Sequence, residues 1–435
     1  MAEYCSILVG VNGLAWIALA LYGLALVAAM VLVAPTLSWG SGFALFEVGG
    51  RQAGMAGTMV AVGDNLSTLF WNPAGTAFQT DEGVQVMFGA TLIWPEQTLY
   101  GSSPYPGAGY EAEQVKQTFF PPHIFLGVPV NDRLEVSFAF YTPFGLGTEW
   151  EDDFLGNYIS KKSDLMVFDF GVSMAYQLSE NFAFGIGVDY MVATIELTQE
   201  IGLINPYNQR LTNVAEATLK GEGINSDWAW NAGILWKMGS GFSFGASYRS
   251  EFTVNGGGKA EFTQVPTGYA DFDGLLGTFF PFDGKVPIEA TIAFPDFWNV
   301  GLAWQNEKWT VSGQYGVMGW SVYESLPIIF PENPEFSSVK EENWEDAPQW
   351  RAGIEFRASQ HWDLRIGYLV DETPQPVEVM SPLLADGDRD MATKFMLDAH
   401  EDAGEFGYEL GILAQVWNDF YGLAGSGGKR DVGHS

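Results

Sequence analysis

Cysteine, histidine and basic side chains are all scarce in this sequence. Of 435 residues, one is cysteine, four are histidine and 20 are lysine or arginine. A single cysteine, Cys5, excludes a disulfide framework and a cysteine-rich metal site. The 53 acidic residues give a formal net charge of −33, and a surface of that sign is unsuited to nucleic acid. We therefore expect neither a disulfide-stapled domain nor a nucleic-acid-binding protein.

Motifs for catalysis and metal binding are also few. The glycine-rich run from Gly49 to Gly57 lacks the lysine of a phosphate-binding loop. Asp386, Asp388 and Asp390 lack the remaining ligands of a calcium loop, so a solvated acidic loop is expected there. The four histidines are far apart, without the spacing of a metal site: His123, His361, His400 and His434. We expect no enzyme activity, no metal and no cofactor.

Charge is absent from the N-terminus between Glu3 and Glu47, and residues 7–37 are almost entirely apolar. This pattern predicts a signal peptide at 1–40, with Ser38 and Gly40 at the small-residue positions before the cleavage site. The apolar run is long and has no basic residue before it, so an uncleaved membrane-anchoring helix is the alternative.

What the sequence has in abundance is glycine, 52 residues, and aromatic side chains, 15% of the chain. The stretch from Ser41 to Phe78 is rich in glycine and alanine and neither alternates like a strand nor carries a long helical stripe. Small residues with glycine breaks predict a few short helices and turns that pack inside something larger.

After residue 80 the hydrophobic period becomes two. Large apolar side chains alternate with small or polar ones in the runs 84–94, 134–140, 166–176, 182–190, 228–236, 242–248, 298–304, 309–317, 350–356 and 364–368. A soluble β-sandwich also alternates in this way. Tryptophan or tyrosine at many ends of the apolar faces, and lengths of about 9–11 residues in the longer runs, favour strands that cross a membrane in a closed barrel.

Connections between these runs alternate in length. Gln177–Asn181 and Met238–Gly241 are short and predict periplasmic turns. The long connections predict extracellular loops: 145–164, 198–216, 255–285, 321–347 and 371–390. Short turns on one side and long loops on the other are typical of the bacterial outer membrane.

Several motifs, in order along the chain, resemble the FadL-type family of outer-membrane transporters for long-chain fatty acids and other hydrophobic compounds. The resemblance covers about Ser41 to Arg389. It rests on the glycine-rich opening and on five further segments: Val62–Asn65, Asn72-Pro73-Ala74, Thr142–Glu149, Trp228–Gly233 and Ser247–Glu251. It implies an all-β transmembrane antiparallel barrel of about 14 strands, with an N-terminal plug. The expected divisions are a plug at 41–80, a barrel at 81–421 and an atypical polar tail at 422–435.

The long connection 255–285 carries apolar side chains that are unusual in an outer loop. A run of this kind predicts a hydrophobic capture surface, although simple packing of the loop explains it nearly as well. The residues concerned are Leu275, Leu276, Phe279, Phe280 and Phe282. The resemblance favours capture, and implies a second loop that contains Leu203 and Ile204.

By the same resemblance, the mature N-terminus, Ser41, Gly42 and Phe43, reaches into a pocket in the lumen. A lateral opening is implied at Pro143, Phe144 and Gly145, where proline removes a hydrogen-bond donor and glycine weakens pairing. The alternative is that Pro143 only ends its strand.

Two polar features complete the expected site. Asn72, with Pro73 and Ala74, would fix the plug by hydrogen bonds, or would simply end a helix. Arg249 lies on the lumen-facing phase of its strand and is a candidate for binding a carboxylate. Its alternative is an ion pair with a lumen carboxylate such as Asp189.

Together with these patterns, the resemblance implies a protein of the bacterial outer membrane that transports fatty acids by diffusion. The expected steps are capture by loops, binding in the lumen, plug movement and lateral exit. Aromatic hydrocarbon uptake is the first alternative, and an outer-membrane enzyme acting on lipids is the second. Expected partners are hydrophobic small molecules and outer-membrane lipid, with the protein as a monomer.

Overall fold

The computed structural model describes residues 42–79, 83–95, 97–100, 107, 109–359, 362–376, 394–399 and 420–421, the last two ranges as backbone only. The expected signal peptide, Ser41, the loop 377–390 and the polar tail 422–435 lie outside the described residues. Within the described part, no helix is both long and apolar enough to span a bilayer.

The described chain is mostly β-strand. The helices are α1 (Gly50–Gly54), α2 (Thr68–Trp71) and α3 (Ala270–Phe279), with 3-10 turns at Pro73–Phe78, Trp320–Val322 and Pro334–Phe336. The strands are β1 (Gln85–Ala90), β2 (Thr98–Tyr100), β3 (Glu111–Glu113), β4 (Pro122–Asn131), β5 (Leu134–Glu149), β6 (Lys162–Ser179), β7 (Phe182–Ile204), β8 (Leu211–Gly221), β9 (Asn225–Gly239), β10 (Phe242–Arg249), β11 (Phe252–Gln264), β12 (Lys285–Phe294), β13 (Phe297–Gln305), β14 (Trp309–Met318), β15 (Ser325–Ile329), β16 (Ser338–Glu341), β17 (Ala347–Arg357), β18 (Trp362–Asp371), β19 (Lys394–Ala399) and β20 (Phe420–Tyr421).

The main sheet is an antiparallel meander in which chain neighbours pair with each other. β4 pairs with β5, β5 with β6, and β6 with β7. β7 is long enough to pair with both β8 and β9, two successive parts of the next strand. β10 and β11 continue the pattern in the same way, since β10 pairs with β9 and β11 with β8.

The face of this sheet that points away from the lumen is apolar. On β6, Phe170, Val172 and Met174 are each about half exposed, whereas Asp169 and Ser173, which alternate with them, are buried. A soluble protein reverses this order, so the apolar face belongs against hydrocarbon. Tryptophans at strand ends, among them Trp228, Trp236, Trp350 and Trp362, are also exposed, as interfacial girdles require.

Residues 42–79, which we call the plug, lie against the inner face of the sheet, and the expected division into plug and barrel stays a prediction. Residues 42–79 form α1, α2, a 3-10 turn and loops, and most of their side chains are buried. Glycines of the barrel let the plug backbone approach closely. A Cβ on Gly185 would clash with the backbone of Pro73 and Ala74, and one on Gly245 with the backbone of Val60. The plug and the barrel wall are therefore fitted to each other at main-chain contact distance.

The two short turns are confirmed, but the long connections are more structured than predicted. The connection 198–216 is mostly strand, because β7 runs to Ile204 and β8 begins at Leu211. In 255–285, β11 continues to Gln264 and is followed by α3. The strands of these hairpins continue beyond the predicted membrane-spanning runs, because each strand satisfies the backbone hydrogen bonds of its neighbour. The outer end of the molecule is a set of long hairpins rather than irregular loops.

Candidate functional site

A groove of about 530 Å³ opens at the outer end of the molecule, between the long hairpins. The walls come from β7, β8, β11, the end of α3 and the segment β15–β16. The lining is largely apolar: Tyr158, Ile159, Leu197, Thr198, Gln199, Ile201, Ala217, Leu219, Phe262, Phe279, Phe280, Leu326, Ile328, Phe330, Glu335, Phe336, Ser338 and Lys340. We call this cavity the outer groove.

The structure places the predicted capture residues unevenly around this groove. Phe279 and Phe280 line it, and Leu276 is buried beneath them in a cluster with Phe262. Phe282 packs against the same cluster, while Leu275 is exposed and does not line the groove. Leu203 and Ile204 are also exposed, near the end of β7, and it is Ile201 of that strand that lines the groove.

Phe330 and Phe336, which also line the groove, were not predicted from the sequence. They flank a short turn between β15 and β16, and their rings lie 5.9 Å apart. The available signal was the apolar run Leu326–Phe330 within a connection otherwise rich in charge.

A smaller inner pocket, of about 40 Å³, lies below the groove. The two cavities share lining residues, namely Leu197, Leu219, Leu326 and Ile328. Asn225 supplies an amide, and among the described residues that line this pocket none is charged. A volume of this size holds about three water molecules, so a long ligand enters only if side chains move.

The pairing of β5 is irregular around Pro143, where the resemblance implies a lateral opening, and the opening itself stays a prediction. Pairing of β4 with β5 ends at Ile124 and Phe140, and the register between β5 and β6 shifts between Tyr141 and Phe144. Pro143 lies at the shift, where its missing N–H leaves the ladder without a donor. Beside the interruption is a side cavity of about 70 Å³, which shares Leu165 with the inner pocket.

The start of the plug is paired with this interruption. The amide of Leu45 donates to the carbonyl of Pro143 at 2.8 Å, and the amide of Gly145 donates to the carbonyl of Phe43 at 2.9 Å. Ala44 and Phe144 thereby face each other as an isolated antiparallel pair. The predicted N-terminal gate and the predicted lateral opening are thus in direct contact, although Ser41 lies outside the described residues.

Aromatic rings surround Phe43. Its ring centroid lies 4.7 Å from that of Trp320, 5.6 Å from Trp344 and 6.1 Å from Tyr323. These four residues, which we call the Phe43 cage, are all almost completely buried. Gly42 precedes the cage with a φ of +64°, and a Cβ there would collide with the Trp344 ring. The three cage partners of Phe43 were not predicted from the sequence.

Asn72 joins the plug to the wall. Its Nδ2 donates to the carbonyl of Val60 at 2.7 Å and to that of Ile234 on β9 at 2.9 Å. Its Oδ1 accepts from the amide of Ala74 at 3.1 Å, which begins the 3-10 turn after Pro73. The motif therefore both ends α2 and holds the plug, so its two interpretations are compatible.

Arg249 lies beneath the plug and is paired with carboxylates. Its Nη1 lies 2.9 Å from Asp169 and 2.8 Å from Asp189, and Asn231 donates to Asp189 at 2.7 Å. The alternative interpretation, an ion pair with Asp189, is the arrangement observed. Arg249 lines neither the outer groove, the inner pocket nor the side cavity. Carboxylate binding by Arg249 stays a prediction.

A second buried ion-pair network was not predicted from the sequence. Arg51 of the plug donates through Nε and Nη2 to Glu355 of β17 at 2.8 and 2.9 Å. Arg365 of β18 donates to the same carboxylate at 2.6 Å, and Asp64 accepts from Arg51. Burial alone would lower the pKa of Arg51, but the two carboxylates outweigh this and raise it, so Arg51 stays charged.

One buried carboxylate lies close to the Phe43 cage, in the connection between β16 and β17. Glu342 is fully buried, with Lys340 Nζ 2.6 Å away and Trp344 Nε1 donating at 3.3 Å. Burial raises the pKa of Glu342, and the contacts with Lys340 and Trp344 oppose that rise.

Ser243 lies in a Gly-x-Ser-x-Gly sequence, Gly241–Gly245, and has a structural role. A nucleophile elbow places its serine on a sharp turn from strand to helix. Ser243 instead lies inside β10, and its Oγ donates to the carbonyl of Ala61 at 2.6 Å. It is a further contact between plug and wall.

Comparison with known proteins agrees with this geometry. The family described as outer membrane protein transport protein (OMPP1/FadL/TodX) matches residues 31–394. The chain belongs to this family. It is therefore an outer-membrane β-barrel of a transport family, as the resemblance implied, while the number of strands stays a prediction.

Similar proteins include the long-chain fatty acid transport protein of Escherichia coli strain K12, 24% identical over 397 residues, with 84% of this chain and 85% of that protein covered. A 47 kDa outer membrane protein of Pasteurella multocida is 24% identical over 361 residues, covering 80% of this chain and 81% of that protein.

Among solved structures, a Pseudomonas aeruginosa FadL homologue has a TM-score of 0.67 at 18% identity, covering 84% of this chain and 88% of the other. The P. putida toluene transporter TodX has a TM-score of 0.61 at 17% identity, covering 82% and 90%. At these identities, the two similarities show a shared fold.

Proposed function

We propose that this protein carries long-chain fatty acids, or molecules of similar hydrophobicity, across the outer membrane by diffusion and without catalysis. The observation that supports this most is a series of three adjoining cavities. The outer groove shares four lining residues with the inner pocket, and the inner pocket shares Leu165 with the side cavity. The series leads from the outer surface to an interruption in the wall.

The outer groove is the proposed capture site. Its volume of about 530 Å³ is within the range of drug-sized ligand pockets, roughly 300–1,000 Å³. Phe279 and Phe336 supply aromatic surface at the entrance, and burial of ligand methylenes there contributes about 0.8 kcal/mol each. A chain of many methylenes gains more from this surface than a short one does.

The proposed exit is the interruption at Pro143, Phe144 and Gly145. In the described state Phe43 occupies the passage, and the inner pocket is too small for a long ligand. Withdrawal of residues 42–45 breaks two backbone hydrogen bonds and frees the side cavity. The ligand then leaves sideways into the bilayer, and the plug at 41–80 stays anchored at Asn72.

Membrane lipid is the proposed partner of the apolar outward face. We also propose that the monomer is the working unit. The similar proteins of E. coli are named as long-chain fatty acid transport proteins, which supports fatty acids as the ligand.

Aromatic hydrocarbon uptake is the second candidate, and one observation favours it. The described residues of the inner pocket include no charged side chain that would hold a carboxylate. TodX and the Ralstonia pickettii protein TbuX, both similar in fold, are named toluene transporters.

A binding titration separates the two candidates. Oleate is titrated into the detergent-purified protein by calorimetry, alone and in the presence of toluene. Saturable oleate binding that toluene does not displace supports fatty acid transport. Displacement by toluene supports hydrocarbon uptake. No saturable binding of either ligand contradicts the proposed function.

A further inference from the structure

The segment between β14 and β17 contacts both the outer groove and the Phe43 cage. Between β14 and β17, strands β15 and β16 form a hairpin whose register pairs Leu326 with Lys340. Leu326, Ile328 and Lys340 of this hairpin line the outer groove. The two ends of this segment contain the three cage partners of Phe43, namely Trp320, Tyr323 and Trp344. A movement of the hairpin therefore changes the groove and the cage together.

Three side chains at the base of the hairpin connect the two sites directly. Lys340 lines the groove, and its Nζ lies 2.6 Å from Oε1 of Glu342. The other carboxylate oxygen, Oε2, accepts from Nε1 of Trp344 at 3.3 Å. The Trp344 ring in turn lies 5.6 Å from that of Phe43. The contacts form an unbroken series from the groove to the cage.

Burial makes the pair of Lys340 and Glu342 sensitive to loss of either charge. The Glu342 side chain has no exposed surface, whereas that of Lys340 is 29% exposed on the groove side. A buried carboxylate is tolerated only while it is paired and hydrogen-bonded. A negatively charged ligand in the groove attracts Lys340 and competes with Glu342 for it.

We propose that Lys340, Glu342 and Trp344 couple the binding of a carboxylate-bearing ligand in the outer groove to the release of Phe43. When the ligand carboxylate forms an ion pair with Lys340, Glu342 loses its cation. The hydrogen bond between Glu342 and Trp344 then weakens. Trp344 then leaves the cage, and Phe43 with residues 42–45 is free to withdraw from β5. Glu342 and Trp344 are positioning residues in this step. The inference rests on the proposed function, since it names the ligand charge to which the transporter responds.

Amide hydrogen exchange at Leu45 and Gly145 measures the release, because both amides are hydrogen-bonded between the plug and β5. Purified full-length protein is measured by mass spectrometry without ligand, with saturating oleate, and with saturating hexadecanol, which has a long chain but no charge. Oleate is expected to raise the exchange rate of these amides about tenfold through local opening. Hexadecanol is expected to bind and to leave the rate unchanged.

Two substitutions are expected to act in opposite ways. Lys340→Met leaves Glu342 without its cation, so exchange is fast before any ligand is added and oleate has no further effect. Glu342→Gln removes the charge and keeps the hydrogen bond to Trp344, so exchange stays slow even with oleate bound. The double variant is expected to behave like Glu342→Gln, with slow exchange, and it also tests the inference if Lys340→Met alone is poorly folded.

Lys285→Met is the matched control, because Lys285 pairs with Glu261 at 3.2 Å in an exposed position and neither residue lines the groove. It is expected to match the wild type. If calorimetry shows oleate binding while all variants exchange alike, the coupling is wrong and the proposed function stands. If oleate does not bind, the coupling and the proposed function are both wrong. Equal acceleration by oleate and hexadecanol also overturns the coupling.

Discussion

The N-terminal end of the plug, residues 42–45, is held differently from the rest of the plug. Around Asn72 and Arg51 the plug is fixed to the wall by buried hydrogen bonds and ion pairs, with glycines that bring the backbones together. At Phe43 it is held by aromatic rings and by two backbone hydrogen bonds to β5. Polar networks of the first kind have one favourable geometry and are costly to break in part. Ring packing is less directional, so the Phe43 end is the part of the plug that is suited to move.

The anchored part of the plug is tested most strongly at Glu355. Glu355→Ala leaves Arg51 and Arg365 buried without their shared carboxylate, and loss of one partner from a buried network costs about 3–5 kcal/mol. We expect the urea midpoint of the protein in lipid vesicles to fall sharply. Glu261→Ala, in an exposed pair, is the control and is expected to change stability by less than about 1 kcal/mol. An unchanged midpoint for Glu355→Ala would show that the network does not anchor the plug.

Asn72→Ala is expected to have a smaller effect on the same anchored part of the plug. Two carbonyls and one amide lose their partner, and a buried polar group left unsatisfied costs about 1–3 kcal/mol. Hydrogen exchange of residues 57–63 should become faster, while exchange at Leu45 changes little. Equal acceleration in both places would contradict the division of the plug into an anchored and a movable part.

The movable end is tested at the interruption of β5. Pro143→Val restores the backbone donor that proline lacks and favours regular pairing of β5 with β4. We expect oleate uptake by cells that express the variant to slow several-fold, with the folded barrel and oleate binding retained. Uptake at the wild-type rate would exclude lateral exit at this point.

The smallest effect is expected in the outer groove. Phe279→Ala removes an exposed aromatic ring from the lining, which should weaken oleate binding about threefold to tenfold through lost apolar contact. Leu275→Ala is a close control, since Leu275 lies on the same helix with similar exposure and does not line the groove. Calorimetry on both variants is the measurement, and equal affinities would mean that α3 does not contribute to capture.

Local patterns along the chain were sufficient to predict most of the strands and the short elements of residues 42–79. The lateral opening at Pro143 was implied by the family resemblance and stays a prediction. Alternation of large and small residues determines which face of β6 meets lipid, and glycine-rich sequence determines that residues 42–79 pack as short elements. The structured outer hairpins were not predicted, because their strands beyond the membrane alternate less clearly and their pairing depends on the neighbouring strand.

Local sequence patterns could not predict contacts between distant parts of the chain. Arg51 and Glu355 are 304 positions apart, and nothing in either local sequence specifies the other. Trp320 and Trp344 lie in a connection that is rich in charge, where a single tryptophan carries no periodic signal. Arg249 was placed on the correct face of its strand, but the choice between a ligand and Asp189 depends on which side chains the folded lumen brings together.

The central claim is that residues 42–45 must separate from β5 for transport to occur. Ala44 and Phe144 face each other between the two backbone hydrogen bonds, as a non-hydrogen-bonded antiparallel pair. The Cα atoms of such pairs are about 4.5 Å apart, which a disulfide can span. The measurement is oleate uptake by the double variant A44C with F144C, under oxidising and reducing conditions. The account predicts that oxidation stops uptake and that reduction restores it, and uptake that continues in the fully oxidised protein would contradict it.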